Sequence, residues 1–320
     1  MKIHIPNSAF LGNINHFLSR FDPSEPEKLE VTAHDKWFWV HPVVLSMIAA
    51  LGKPVDPGNI TCSIAAKTGV YLERMGLYSF LGIGSGLNIE EHEAAGRFIP
   101  LTQIKTSDDL SRFLTELVPL LHLEPEHVEP IQYTMSELIR NVLEHSKSPD
   151  GAIVCAQYFK KTNTIRIGIA DRGIGIKASI EGAYPVDDDL GALGKALTPG
   201  ITGTTTKIGG TAQNAGAGLF FIKTIAYVNQ DPFFLYSGSA MYKLLKRTGS
   251  SITLRANPFN DRHSKEANMP YWQGVAVGID LALDTTKEFS GLLKIIRNFY
   301  FEAVKENKDK KTRMRKPKFI

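Results

Sequence analysis

Three short stretches in fixed order restrict this chain more than any other feature. They are Glu137-Leu-Ile-Arg-Asn141-Val-Leu-Glu-His145, Asp171-Arg-Gly173-Ile-Gly175-Ile176 and Gly210-Thr-Ala-Gln-Asn-Ala-Gly216-Ala217-Gly218-Leu219. The first lies in a run from Pro125 to Ser146 with helical periodicity, where Val128, Ile131, Met135, Leu138, Ile139 and Val142 form an apolar stripe. Glu137, Asn141 and His145 recur every fourth residue and share a different face. An acid, an amide and an imidazole in line address something polar, whereas a lone Glu-x-x-x-Asn would be only a solvated face. The second stretch ends a predicted antiparallel hairpin. Gly151–Phe159 and Thr164–Ala170 flank the polar turn Lys-Lys-Thr-Asn, and Ile165, Ile167 and Ile169 alternate with Arg166, Gly168 and Ala170, the pattern of a half-buried strand. Asp171 is thereby delivered at a strand end. Gly173 and Gly175 let the backbone pass close to a ligand, although a lone Asp-x-Gly-x-Gly is often just a turn. In the third stretch glycines open the helix Gly216–Ala226, where bare N–H groups and the helix dipole form an anion site. Between them, Thr198–Gly216 is rich in Gly and Thr with Lys207 as its only charge, the composition of a lid or connector.

In this order and at these distances the stretches resemble the N, G1 and G2 boxes of the GHKL ATP-binding superfamily, which includes gyrase, the heat-shock chaperone ATPase, histidine kinases and mismatch-repair ATPases. Glu-x-x-x-Asn-x-x-x-His is most similar to the branch of anti-sigma-factor serine kinases. The resemblance covers roughly Lys105 to Asp284. It implies that Asn141 binds a Mg²⁺ bridging the phosphates, a task that suits an amide oxygen facing a hard cation. It implies that Glu137 orients or deprotonates the attacking group. It implies that Asp171 accepts a hydrogen bond from the exocyclic amine of adenine, with Gly173, Gly175 and Ile176 beside the base. Gly210, Gly216, Ala217, Gly218 and Leu219 then belong to the phosphate side. His145 is either a phosphate contact or a satisfied helix-end imidazole, and Lys207 either reaches the γ-phosphate or is solvated. One departure stands upstream of the last helix: Gln213-Asn214-Ala215 occupies a place where many members carry more glycine. The implied fold is α+β, a two-layer sandwich of a mixed sheet covered by helices on one face.

At 320 residues the chain has room for about two domains. The N-terminal part reads as strand–helix–strand–helix: Leu29–Ala33, a buried helix from Pro42 to Leu51, Ile60–Ile64, and a second helix from Gly69 ended near Gly76. Val70-Tyr-Leu-Glu-Arg-Met-Gly76-Leu is similar to a segment of small STAS-like domains, and Ser46, Thr61 and Ser63 read as ordinary hydroxyls. Trp37-Phe38-Trp39 is expected to be core packing. The triple-glycine run Leu81–Leu87 lacks the lysine and spacing of a phosphate loop and reads as a bend or linker. Gly191–Lys195 also misses that pattern. The expected division is residues 1–100, a small α/β and STAS-like domain; 101–285, the ATP-binding domain; and 286–320, an amphipathic helix with a basic tail. Phe233–Ser237, Ser251–Arg255 and Gly274–Leu281 are the strands expected to complete the sheet. Asp187–Leu197 is expected to be a short acidic-capped helix. In the C-terminal helix Phe289, Leu292, Leu293, Ile296, Phe299 and Tyr300 line one side, which packs on the body or binds a partner, packing being favoured.

The net charge of +4 hides an asymmetry: Lys305–Ile320 holds eight Lys or Arg and two acids, a net +6, so the rest is near −2. Such a body lacks the broad basic face of a nucleic-acid-binding protein. The tail is a solubilising end or binds phosphate or a membrane surface. Two distant cysteines, Cys62 and Cys155, provide neither a disulfide framework nor a zinc site. With no apolar run of about 18 residues and no signal-peptide pattern after Met1, the expected location is the cytoplasm.

The function expected on this resemblance is a cytoplasmic Mg-ATP switch that hydrolyses ATP or phosphorylates Ser or Thr of a protein partner. The rival is a non-catalytic regulator in which ATP gates partner binding. Homodimerisation stays open. An ordinary histidine kinase is disfavoured because no His-Asp/Glu-x-x-x-Pro motif lies upstream, and a topoisomerase because no transducer region follows.

Overall fold

The computed structural model describes residues 1–65, 67–86, 98–117, 125–203, 217–285 and 289–314. The chain begins with β1 (Lys2–Ile5), β2 (Ser8–Ala9), α1 (Asn15–Leu18), β3 (Leu29–Ala33), β4 (Trp39–Val40), α2 (Pro42–Gly52), β5 (Ile60–Ser63), α3 (Val70–Arg74) and α4 (Leu77–Leu81). β3 lies between β1 and β5 and pairs with both in parallel. α2 starts where Pro42 occupies the first turn and His41 Nδ1 accepts from the Val43 N–H at 3.1 Å. The helix expected from Gly69 is two short ones: Gly76, at φ +76°, breaks the run between α3 and α4.

The second part runs β6 (Phe98–Ile104), α5 (Ser107–Arg112), α6 (Pro125–Asn141), β7 (Ala152–Phe159), β8 (Thr164–Ala170), α7 (Gly175–Glu181), α8 (Asp189–Ala196), α9 (Gly218–Asn229), β9 (Phe233–Gly238), β10 (Ala240–Leu244), β11 (His263–Glu266), β12 (Trp272–Ala282) and α10 (Phe289–Met314). Seven strands form one sheet in the order β11-β10-β9-β12-β8-β7-β6. Every pairing in it is antiparallel, so the expected mixed sheet is corrected; the parallel pairings belong to the small N-terminal sheet and to the separate β2–β4 pair. The architecture is α+β.

The two faces of the large sheet are both covered. On one, Ile165, Ile167 and Ile169 of β8 pack with Ile131, Met135, Leu138 and Ile139 of α6 and Phe220, Ile222 and Ile225 of α9. On the other, Ile153, Cys155, Ala170 and Phe234 share a core with α2 and with Ile3, Ile5, Leu29 and Val31 of the small sheet. All of α2 is buried as a result. The expectation of helices on one face alone is therefore corrected, as is the half-buried reading of β8, whose last four residues are buried throughout. The small residues of β8 have a purpose. A Cβ at Gly168 would stand 2.1 Å from the Val43 nitrogen and 2.4 Å from the Pro42 carbonyl carbon, backbone atoms of α2. Gly168→Ala is expected to lower stability by about 1–3 kcal/mol, the usual cost of overpacking. The check is denaturant unfolding: a wild-type midpoint would mean that α2 does not lie against β8.

Two other expectations fail. Ser251–Arg255 is not a strand: Arg247 Nη1 donates to the carbonyls of Gly249, Ser250 and Ser251, which ties the segment into a loop, and Ile252 is exposed. The edge strand is β11 instead. Of the aromatic triplet, Phe38 is buried, while Trp37 and Trp39 lie 43% and 54% exposed. At the C-terminus α10 packs on the body as favoured. Phe289, Ile296 and Tyr300 are buried, and Phe299 stacks on Phe220 of α9 with ring centres 6.2 Å apart. No helix among the described residues is long and apolar enough to cross a membrane.

Candidate functional site

A cleft of about 340 Å³ lies between α6, the ends of β8 and β12, α7, and the start of α9. That is within the range of small-molecule sites. α6 carries Glu137, Arg140 and Asn141 to its wall. Just beyond, Val142–Ser146 widens into a π turn that adds Glu144 and His145. Such turns recur at functional sites.

Asp171 occupies the opposite side. Its N–H donates to the Val275 carbonyl at 2.9 Å, which holds it at the end of β8 beside β12. Oδ1 accepts from the Gly173 N–H at 2.7 Å, while Oδ2 is buried without a partner. Burial pushes the carboxyl up to about 7, against the pull of the Gly173 N–H. A buried carboxylate oxygen aimed at nothing is costly unless a ligand donor meets it.

Close backbone packing holds the turn after Asp171. A Cβ on Gly173 would lie 2.0 Å from the Ser146 carbonyl oxygen, and the Ile174 N–H donates to that oxygen at 2.7 Å. The turn is thereby fastened to the end of the helix that carries Asn141. Gly175, at φ +78°, then lets α7 begin, and the Ile176 N–H donates to Ser237 Oγ at 3.0 Å. Ser237 in turn donates to the Gly274 carbonyl at 2.6 Å, and Gln273 Nε2 donates to the Gly173 carbonyl. Ser237, Gln273 and Gly274 escaped sequence reasoning. They arrive through the register of β9 and β12, and no local pattern marks them. Ile169, Ile176, Ile180, Val275 and Val277 make the neighbouring wall apolar, a surface suited to a flat ring.

At the other end α9 begins. The Phe221 N–H makes its first helical bond, to the Ala217 carbonyl at 2.8 Å, so the amides of Gly218 and Leu219 have no intrahelical acceptor. A Cβ on Gly218 would lie 2.9 Å from Glu137 Oε2 and 3.1 Å from Asn141 Nδ2, so the helix start abuts the acid–amide face directly. Asn141 Nδ2 is buried without a partner. Burial raises the Glu137 carboxyl above its ordinary range; nearby Arg140 opposes this and Glu144 adds to it. Burial also lowers His145, with Glu144 opposing.

Glu137, Asn141, His145, Asp171, Gly175, Ile176, Ala217, Gly218 and Leu219 all line this one cleft, and Gly173 stands behind it. Lys207, Gly210 and Gly216 lie outside the described residues. Ile201, Thr202 and Gly203, from the expected lid entry, join the wall, and the Cβ position of Gly203 would fall 2.1 Å from the Ser179 carbonyl. Among the described residues no group of three His, Cys, Asp or Glu could hold a metal ion by itself. A scan of protein-family models finds none that matches this chain, and a search of curated proteins finds no relative.

Proposed function

We propose that the cleft binds an adenine nucleotide with Mg²⁺ in the manner of the GHKL superfamily, and that the protein is an ATP-dependent switch with phosphoryl-transfer activity toward water or a protein Ser or Thr. The observation that carries this reading is the unpartnered oxygen of Asp171 inside an apolar cleft whose far end is a glycine-opened helix start beside Asn141 and Glu137. An acceptor in an apolar slot suits the exocyclic amine of adenine. A helix start suits phosphate oxygens. One amide oxygen suits a hard cation that keeps most of its waters. Asn141 would hold the cation, with Glu137 near; when bound, the ion offsets phosphate charge.

The residues' own tasks follow from their surroundings. Asp171 orients the base, and the Gly173–Gly175 turn keeps it rigid. Gly218 brings backbone amides to the phosphates. Glu137, with its proton affinity raised by burial, is suited to accept the proton of an attacking hydroxyl. Glu137→Ala is expected to keep nucleotide affinity and to lower turnover by roughly 10²–10⁴-fold, the usual share of a general base. Phosphate release from labelled ATP, with transfer to protein in a cell extract scored beside it, is the test. Full turnover in that variant would reassign Glu137 to structure.

The rival reading, an ATP-gated protein-binding regulator without turnover, has one observation in its favour. α2 packs on the back of the strand that delivers Asp171, so a change felt by the sheet reaches the N-terminal part. Saturable ATP binding with no phosphate release and no protein labelling would select it.

A further inference from the structure

The cleft wall near Gly218 is itself acidic. Glu137 and Glu144 both line it, and Arg140 is the only Lys or Arg among the described lining residues. Helical spacing puts Arg140 three residues after Glu137, four before Glu144 and next to Asn141, on the side that faces the cleft. Its guanidinium is loosely held. Nη1 stands 4.0 Å from Glu137 Oε1 and Nε 3.5 Å from Glu144 Oε1, and the side chain is 52% exposed. Both separations exceed those of a good N–H···O bond, and exposed pairs of this kind constrain little. A polyphosphate entering this end would meet two carboxylates with, among the described residues, one weakly paired cation between them.

We propose that Arg140 is a specificity residue that grips the terminal phosphates of a nucleoside triphosphate and leaves Glu137 and Glu144 to do so. The proposal rests on the nucleotide reading of the cleft. The planar guanidinium offers two parallel N–H donors that match a phosphate's oxygens, and a phosphate carries more charge than either carboxylate. The amides at Gly218 serve any phosphate chain, whereas Arg140 adds a contact only when the chain is long enough to reach it. A monophosphate leaves Arg140 on its carboxylates. Among the described residues, discrimination between ATP and AMP therefore falls to this side chain.

The experiment is calorimetric titration of the full chain with ATP, ADP and AMP, each with Mg²⁺, for wild type, Arg140→Ala and Arg140→Lys. Arg140→Ala is expected to weaken ATP by roughly ten- to a hundredfold, the fold-change of losing a hydrogen bond to a charged group, and to leave AMP unchanged. Arg140→Lys keeps part of the preference because it restores the charge without the fork. Unchanged AMP binding also shows that the variant's site is folded. An ATP-to-AMP ratio in Arg140→Ala equal to that of wild type, or equal weakening of all three nucleotides, would overturn the proposal. Wild type binding none of the three is a separate result, which removes the nucleotide reading itself.

Discussion

Asp171→Asn is expected to weaken ATP binding by about 1.5–3 kcal/mol, the contribution of a hydrogen bond to a charged group, or roughly ten- to a hundredfold. The substitution preserves shape and changes one oxygen into a donor, which opposes an incoming amine. A second signature separates this from general damage. Burial holds the folded carboxyl's proton to about 7, whereas the unfolded one releases it near 3.8. The folded state therefore carries the extra proton between those values, so stability falls as pH rises through that window and the full penalty stands above about 7. A ligand amine requires the ionised form. Binding at pH near or below 7 must then release a proton, and affinity rises as pH climbs through 7. Calorimetry in buffers of different ionisation heat reads the proton count directly. Asp171→Asn abolishes the release and reduces the pH dependence of stability, of which Asp231, also pushed up to about 7 by burial, keeps its share; persistence of the proton release in the variant would assign the titration elsewhere.

Lys223→Ala is expected to destabilise the protein by about 3–5 kcal/mol, the cost of removing one member of a buried ion pair. Lys223 lies in α9, the helix that Gly218 opens, and its Nζ donates to Asp261 Oδ2 at 2.6 Å with both groups almost completely buried. Burial lowers the ammonium's pKa, and Asp261 opposes that. Without Lys223, Asp261 would be left as a buried anion, and its Oδ1 already has no partner. Replacing both members by apolar residues of similar size is expected to recover much of the loss, because neither charge then remains. Denaturant midpoints of the single and double variants check this. A Lys223→Ala midpoint equal to that of wild type would mean that the pair does not anchor α9.

Sequence legibility followed the range of each interaction. Asn141, Glu137 and His145 share a face because helical spacing is local, and Asp171 could be placed because β7 and β8 form a hairpin with a short turn. Gly218 was legible because a glycine before an apolar run marks a helix start. Ser237, Gln273 and Gly274 were not, because they reach the Asp171–Gly175 turn across strand pairings set 61 to 100 residues later. The cover on the back of the sheet was equally hidden. Its trace was the pair of small residues Gly168 and Ala170, which read as the outer side of a half-buried strand until α2 is seen against them. Ser251–Arg255 failed for the opposite reason: its local pattern suited a strand, but the Arg247 guanidinium gathers the carbonyls of Gly249, Ser250 and Ser251 and turns the chain where the strand would begin.

The most direct measurement is titration of wild-type protein with ATP and with ITP, each with Mg²⁺, at a pH above about 7, where Asp171 is ionised. The hypoxanthine base of ITP presents a carbonyl where adenine has its exocyclic amine, so Asp171 would face an acceptor in place of a donor. The account predicts saturable binding of one ATP per chain, and ITP binding weaker by roughly tenfold or more. No saturable heat with ATP, or equal affinity for the two nucleotides, would contradict it.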